Sequence, residues 1–297
     1  MRYAFFRGCM IPIKLPYLES ISRRVLGDLG IELVDVDEFT CCPDPIIFGG
    51  VDRLTWLSIA ARNICLAEER GLDIITLCNG CSQTLRTANE TLKSDIELKD
   101  EVNKILSGIG HTFLGKIKVK HFLQVLTEDV GIEEIEEKVK SPLRGLRVAT
   151  HTGCHLTNPA EVMRFDDPED PTVLERLVAP LGAEAVDYDL KTLCCGVSYT
   201  LMGNRKTSNA LLRDKLMSIN RVGAQCIVTG CPFCFQQFDL GQLLSAKEYN
   251  LRFKVPVLFY TQLLGLAMGY DLKEVGYTYH KIHDGSFEKM VEPRVRR

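Results

Sequence analysis

The sequence predicts an α/β protein made of two tandem, pseudo-two-fold-related domains, each a small, mainly parallel sheet flanked by helices. Three observations predict it. Short apolar segments alternate with helical ones along the chain, as in βαβ units. Ten of the twelve cysteines form one pattern written twice. The copies are Cys9, Cys41-Cys42, Cys78-x-x-Cys81 and Cys154, Cys194-Cys195, Cys231-x-x-Cys234, with 35 residues between vicinal pair and CxxC in both. Given one copy, chance repeats that spacing roughly once in a thousand chains of this composition. Finally, 297 residues suit two domains of about 100–200 residues each. The boundary is expected between residues 142 and 143, giving domains 1–142 and 143–297.

In the first half, Tyr3 to Phe6 reads as a buried strand running into Gly8-Cys9. Pro16 to Leu29 has helical spacing and stops at Gly30, and Ile31 to Val36 alternates as a strand before Cys41-Cys42-Pro43. Val51 to Arg70 is helical and closed by Gly71. Asp73 to Leu77 is a short apolar strand that delivers Cys78. Ser82 to Leu106 reads as one long helix, and Ile117 to Phe122 as a strand. Glu133 to Gly145, with Ser141-Pro142, reads as the linker.

The second half repeats the order. Leu146 to Thr150 is a strand entering Gly153-Cys154, and Val173 to Ala179 is the end of a helix stopped by Pro180 and Gly182. Ala183 to Val186 is a strand, Thr207 to Arg221 a helix and Cys226 to Thr229 a strand, after which Cys231-x-x-Cys234 opens a helix. Val255 to Tyr260 is the last strand. The polar tail after about His280, with the basic run Arg294 to Arg297, reads as a solvated end. In such sheets ligands sit beyond the carboxyl ends of the strands. Cys9, Cys78, Cys154 and Cys231 all follow predicted strand ends, which places each cysteine set at one edge of its domain.

Composition narrows the function. The net charge of -3 lacks the basic excess of a nucleic-acid binder. No apolar run reaches the roughly 20 residues of a membrane span. The longest candidate, Val255 to Tyr270, is interrupted by Thr261-Gln262. MRYAFFRGC has no long apolar stretch or cleavage site, so no secretory leader is expected. A chain this long builds a core without disulfide staples. The thiols are therefore expected to stay reduced, in the cytoplasm, free to hold metal.

Five soft ligands per repeat exceed the tetrahedral four of structural zinc. Two adjacent cysteines fit poorly on one small ion but suit a multi-iron cluster, where neighbouring thiolates reach different irons. Zinc, dithiol redox chemistry and disulfides remain the alternatives. The ferredoxin run CxxCxxCxxxCP is absent, so the electrons are expected from a partner. No GxGxxG follows a predicted strand, so no flavin fingerprint is present. Cys65, in an apolar helix, and Cys226, opening a strand, read as core thiols.

The pattern CX31CCX35CxxC followed by CX39CCX35CxxC resembles the duplicated cysteine-rich, or CCG, domain. Within that group it resembles the family formed by the B subunits of heterodisulfide reductase from methanogenic archaea, over nearly the whole chain. The resemblance implies two noncubane [4Fe-4S] clusters. Cys9, Cys41, Cys42, Cys78 and Cys81 would hold one, and Cys154, Cys194, Cys195, Cys231 and Cys234 the other. It implies reduction of the coenzyme M–coenzyme B heterodisulfide to two thiols in methanogenesis, with the disulfide cleaved between the clusters. It also implies two further heterodisulfide reductase subunits as partners, one ferredoxin-like (the C subunit) and one flavin-bearing (the A subunit). A hydrogenase or formate dehydrogenase would join them in a larger complex. Related chains serve thiol:fumarate reductase and glycolate or lactate oxidation, and many of those fuse a ferredoxin module that this chain lacks. One departure is Pro43, where the second copy has Gly196. Proline removes a backbone donor to the cluster sulfurs, which makes the two clusters inequivalent in potential.

Reducing a disulfide also takes protons. His151 and His155 flank Cys154, and His155 is the preferred donor because histidine titrates near neutrality. An anionic substrate calls for basic groups close to the cysteines, and Arg7, Lys14, Lys191, Arg205 and Lys206 are the candidates. Taken singly, each is more often a solvated surface group. Asn79-Gly80 and Pro232-Phe233, inside the CxxC motifs, are expected at the site. Gly8, Gly80 and Gly153 are expected to let backbone approach a cluster.

Overall fold

The computed structural model describes residues 1–292. It contains two four-stranded sheets in which every strand pair is parallel. The strands are β1 (Arg2–Phe6), β2 (Glu32–Asp35), β3 (Ile74–Thr76), β4 (Val119–His121), β5 (Arg147–His151), β6 (Glu184–Val186), β7 (Cys226–Thr229) and β8 (Val257–Phe259). The first sheet has the order β2-β1-β3-β4 and the second β6-β5-β7-β8. The inner strands are apolar on both faces, as parallel strands covered by helices must be: Ala4 to Phe6, Ile74 to Thr76 and Cys226 to Thr229 are all buried.

This strand order creates a switch point in each sheet. The chain leaves β1 to one side for β2, then crosses to the other side for β3. A crevice therefore opens beyond the carboxyl ends of β1 and β3, and another beyond β5 and β7. Cys9 and Cys78 follow the first pair of strands, and Cys154 and Cys231 the second.

The flanking helices obey their local chemistry. Arg53–Glu68 and Arg205–Arg221 begin on matching caps: Asp52 accepts from the Thr55 N–H at 3.0 Å, and Asn204 from the Thr207 N–H at 3.1 Å. Each CxxC helix begins just past its strand, and the strand's last threonine accepts from the first cysteine's N–H. These distances are 3.3 Å for Thr76–Cys78 and 3.4 Å for Thr229–Cys231.

Three expectations are corrected. The long helix from Ser82 to Leu106 is two helices, Asn79–Ser94 and Ile96–Ser107, because Asp95 caps the second by accepting from the Leu98 N–H at 3.0 Å. Val173–Val178 is a whole helix and not the end of one, since Asp166 caps it by accepting from the Thr172 and Val173 N–H groups. The segment after His280 is no solvated tail up to residue 292. Gly285–Val291 is a helix that buries Phe287 and Val291. Arg294 to Arg297 lie outside the described residues.

The two halves share one hydrophobic core. Phe122 and Phe259, both fully buried, stack across it with centroids 5.3 Å apart. Ser22 and Thr261 share a buried hydroxyl–hydroxyl bond of 2.8 Å, and Asn79 donates to the Thr152 carbonyl at 2.8 Å. Phe122→Ala is expected to cost about 3–5 kcal/mol in a single denaturant transition of the metal-free protein. Two separate transitions would show instead that the halves fold independently.

Candidate functional site

All ten repeated cysteines line one cleft between the two switch points. All twelve cysteines in the chain are free thiols. Within each half the vicinal pair approaches the CxxC. The Cys42 and Cys81 sulfurs lie 3.1 Å apart, and those of Cys195 and Cys234 lie 3.4 Å apart. Both separations exceed the roughly 2.05 Å of a disulfide. Further thiol–thiol contacts join Cys9 to Cys41 and Cys154 to Cys194. Cys78 and Cys231 touch across the boundary between the halves. The ten sulfurs form one continuous array.

Crowding splits the acidities. Contacts from Cys41 and Cys81 pull the Cys42 thiol down to about 5, and contacts from Cys154 and Cys195 pull Cys194 down to about 2. Cys231 is also held well below its ordinary value, by contacts from Cys234 and then Cys78. Their neighbours are pushed up, Cys78 chiefly by its contact with Cys231 and Cys81 chiefly by its contact with Cys42. Each half thus offers preformed thiolate beside further sulfur donors. This donor set fits an iron–sulfur group: five soft ligands converge per half, more than one tetrahedral ion takes.

The loops are shaped for close approach. Gly8 has φ +69°, and a side-chain carbon there would lie 3.0 Å from the Cys81 sulfur. Gly153 has φ +81°, and the same atom would lie 2.7 Å from the Asn79 amide nitrogen and 3.4 Å from the Cys234 sulfur.

The other sequence candidates divide. His155 is half-buried and lines the cleft, as do Arg7, Asn79-Gly80 and Pro232-Phe233. Lys14, Arg205 and Lys206 are exposed and do not line it. Nor does Lys191, whose ammonium is held by Glu175 at 2.5 Å and Asp170 at 3.1 Å. Nearness in sequence misled here, because Lys14, Arg205 and Lys206 sit on helices with their side chains exposed and Lys191 turns to carboxylates. His151 closes β5 and is buried. Its Nδ1 lies 3.1 Å from the Lys215 ammonium, and a ring nitrogen lies within 4.8 Å of the Cys195 and Cys234 sulfurs. Desolvation first, and Lys215 second, hold its proton affinity well below the ordinary value. Cys65 and Cys226 are fully buried outside the cleft, and burial raises both thiols.

Sequence reasoning missed Lys215. It is fully buried on the apolar face of Arg205–Arg221, between Leu212, Leu216 and Ile219. It donates to the Lys191 carbonyl at 2.9 Å and lies 5.6 Å over the Tyr188 ring. Burial lowers its proton affinity to about 8, against the pull of the sulfurs of Cys195, Cys234, Cys194 and Cys154. A lysine at a core-facing helical position was the available signal.

The CCG cysteine-rich domain family matches residues 3–86 and 148–239, one block in each half. The chain is 39% identical, over 96% of its length and 95% of the relative, to the B subunit of the ferredoxin/F420H2-dependent CoB-CoM heterodisulfide reductase of Methanosarcina acetivorans. The chain belongs to the family of heterodisulfide reductase B subunits. The family extends to the 8-methylmenaquinol:fumarate reductase membrane anchor subunit of Wolinella succinogenes, 32% identical over 94% of this chain and 96% of that one. A hypothetical protein from Helicobacter pylori shares the fold, with a TM-score of 0.74 at 17% identity. This chain spans 51% of that protein's length. Membership makes the chain an iron–sulfur oxidoreductase component of a multi-subunit enzyme. Among the described residues, no helix is long and apolar enough to cross a membrane.

The buried imidazoles set an acid limit. Desolvation lowers His121 and His280 to about 3 from an ordinary 6.5, and it also holds His151 well below that value. The unfolded chain takes up these protons first, so the stability they contribute is lost as pH falls from about 6.5 toward about 3. The depressed thiol of Cys42 acts in the same sense between 9.0 and about 5. The reduced, metal-free protein is therefore expected to melt at progressively lower temperature from pH 8 to pH 5, measured by circular dichroism. A melting temperature that rises on acidification would contradict this.

Proposed function

We propose that this chain reduces the coenzyme M–coenzyme B heterodisulfide to two thiols within the cleft. The reading is supported above all by the meeting of two five-thiol sets at Cys78 and Cys231. A disulfide has two sulfurs and takes up two electrons and two protons. Two matched redox sites facing one cleft can each deliver one electron. The names of the relatives support the choice of substrate. In this reading Cys9, Cys41, Cys42, Cys78 and Cys81 hold one noncubane [4Fe-4S] cluster, and Cys154, Cys194, Cys195, Cys231 and Cys234 the other. The clusters, when bound, supply the electrons, and the chain's own residues position the substrate and move protons. Arg7 lines the cleft from the first half, where a guanidinium suits a sulfonate, phosphate or carboxylate. His155 lines it from the second half and donates a proton to a departing thiolate. Gly8 and Gly153 keep the loops clear of side chains next to Cys81 and Cys234.

The domain boundary stays at residues 142 and 143 in this reading, and the enzyme works in the cytoplasm. The ferredoxin-like and flavin-bearing partner subunits of heterodisulfide reductase relay the electrons, and a hydrogenase or formate dehydrogenase supplies them in a larger complex. A second reading is the iron–sulfur component of a related oxidoreductase, of the fumarate reductase or the glycolate or lactate oxidation type; the Wolinella relative favours the fumarate reductase form. Turnover of the mixed disulfide with a reduced dye separates the two.

Anaerobically purified protein is expected to hold about eight irons and eight acid-labile sulfides per chain, four of each per cluster. Stoichiometric zinc without sulfide would overturn the reading. His155→Gln is expected to slow disulfide turnover by about a hundredfold with iron content unchanged. Full activity in that variant removes His155 from the mechanism.

A further inference from the structure

The two halves do not offer their sulfurs the same electrostatic surroundings. The matching helices Arg53–Glu68 and Arg205–Arg221 start at Asp52 and Asn204. Counted from those caps, Lys215 occupies the position that Asn63 holds in the first half. Both are fully buried behind their vicinal cysteines. Asn63 is neutral and satisfied by local bonds: it donates to the Cys41 carbonyl at 3.3 Å and accepts from the Thr40 N–H at 2.9 Å. Lys215 brings an ammonium to the same place, beside His151, where the first half has Phe6 closing β1.

A buried ammonium is costly unless an anion faces it. Lys215 forms no ion pair with a carboxylate among the described residues, and its polar contacts are the Lys191 carbonyl and the His151 ring. What it faces is the second sulfur set: the His151 ring, 3.1 Å from its ammonium, has a nitrogen within 4.8 Å of the Cys195 and Cys234 sulfurs. A second difference has the same sign. The Gly196 N–H donates to the Cys194 sulfur at 3.3 Å, and Pro43 at the matching position has no N–H to give. Gly196 has φ +89°, a conformation closed to proline, and a side chain there would meet the Ser208 carbonyl at 2.9 Å.

We infer that Lys215 is a positioning charge for the second iron–sulfur site: it stabilises the reduced, more negative form there and makes that site the first to accept an electron. This rests on the cluster reading above. An opposite charge in a low-dielectric pocket favours the more anionic redox state, and net charge and hydrogen bonds to sulfur are the protein's means of setting such potentials. The first site, with Asn63, Phe6 and Pro43, sits at lower potential. The disulfide thus bridges an electron-rich and an electron-poor site rather than two equivalent ones.

The experiment is a potentiometric titration of the loaded protein followed by electron paramagnetic resonance. The two sites are assigned with Cys9→Ser, which removes a first-half ligand. Lys215→Gln removes the charge but keeps a donor for the Lys191 carbonyl. It is expected to shift the second site to lower potential, leave the first unchanged and retain full iron. Lys215→Arg is expected to restore the wild-type value. A fully loaded Lys215→Gln protein with both potentials unchanged overturns the inference. If Lys215→Gln loads only the first site, Lys215→Arg decides. Recovery of the second site at its wild-type potential supports the charge, and failure to recover it assigns Lys215 a packing role and overturns the inference. Wild-type protein without iron and sulfide would overturn the cluster reading itself, which is a different failure.

Discussion

The contact between Cys78 and Cys231 is the constraint on which the arrangement turns. Each cysteine follows an inner strand of its own sheet, so their meeting requires both sheets to point their carboxyl ends at one place. A parallel sheet with the order β2-β1-β3-β4 opens its crevice at that end, and the second sheet repeats the order. The shared core, with Phe122 stacked on Phe259, holds the two crevices against each other. The consequence is a dense array of ionisable sulfur, which no disulfide relieves. Such an array is stable only with cations or hydrogen bonds to absorb its charge.

That requirement explains the features around the cleft. Glycines with positive φ bring the Gly8 and Gly153 backbone against sulfur. Helix starts lie at both CxxC motifs, where backbone N–H groups and the helix dipole favour negative charge. A buried ammonium, Lys215, stands behind one sulfur set only. The duplication therefore supplies matched geometry, while a few substitutions within the repeat differentiate the halves.

Much of this is legible in the residues. The repeated spacing gives away the duplication, and Gly30, Gly71 and the apolar segments mark strands and helices at nearly their observed limits. Cys226 to Thr229 is legible to the residue, because four consecutive apolar or β-branched residues can only be an inner strand here. The expectations that fail do so for lack of a local signal. Asp95 divides one helical stretch in two by capping, which periodicity does not register. Lys191, Arg205 and Lys206 are close to ligand-bearing loops in sequence, but side-chain direction depends on packing and takes them elsewhere. The segment after His280 looks polar, yet Phe287 and Val291 are spaced to bury one helical face.

By itself, the sequence determined the fold class, the two-fold repeat and the ten-thiol inventory, because periodicity and spacing are properties of the chain. The tertiary structure alone decided that the two sets share one cleft and touch at Cys78 and Cys231. It alone decided that Arg7 and His155 face that cleft, and that Lys215 is buried behind the second set. These depend on how two sheets dock and on which way each side chain leaves its backbone, and both are settled by packing across residues far apart in sequence.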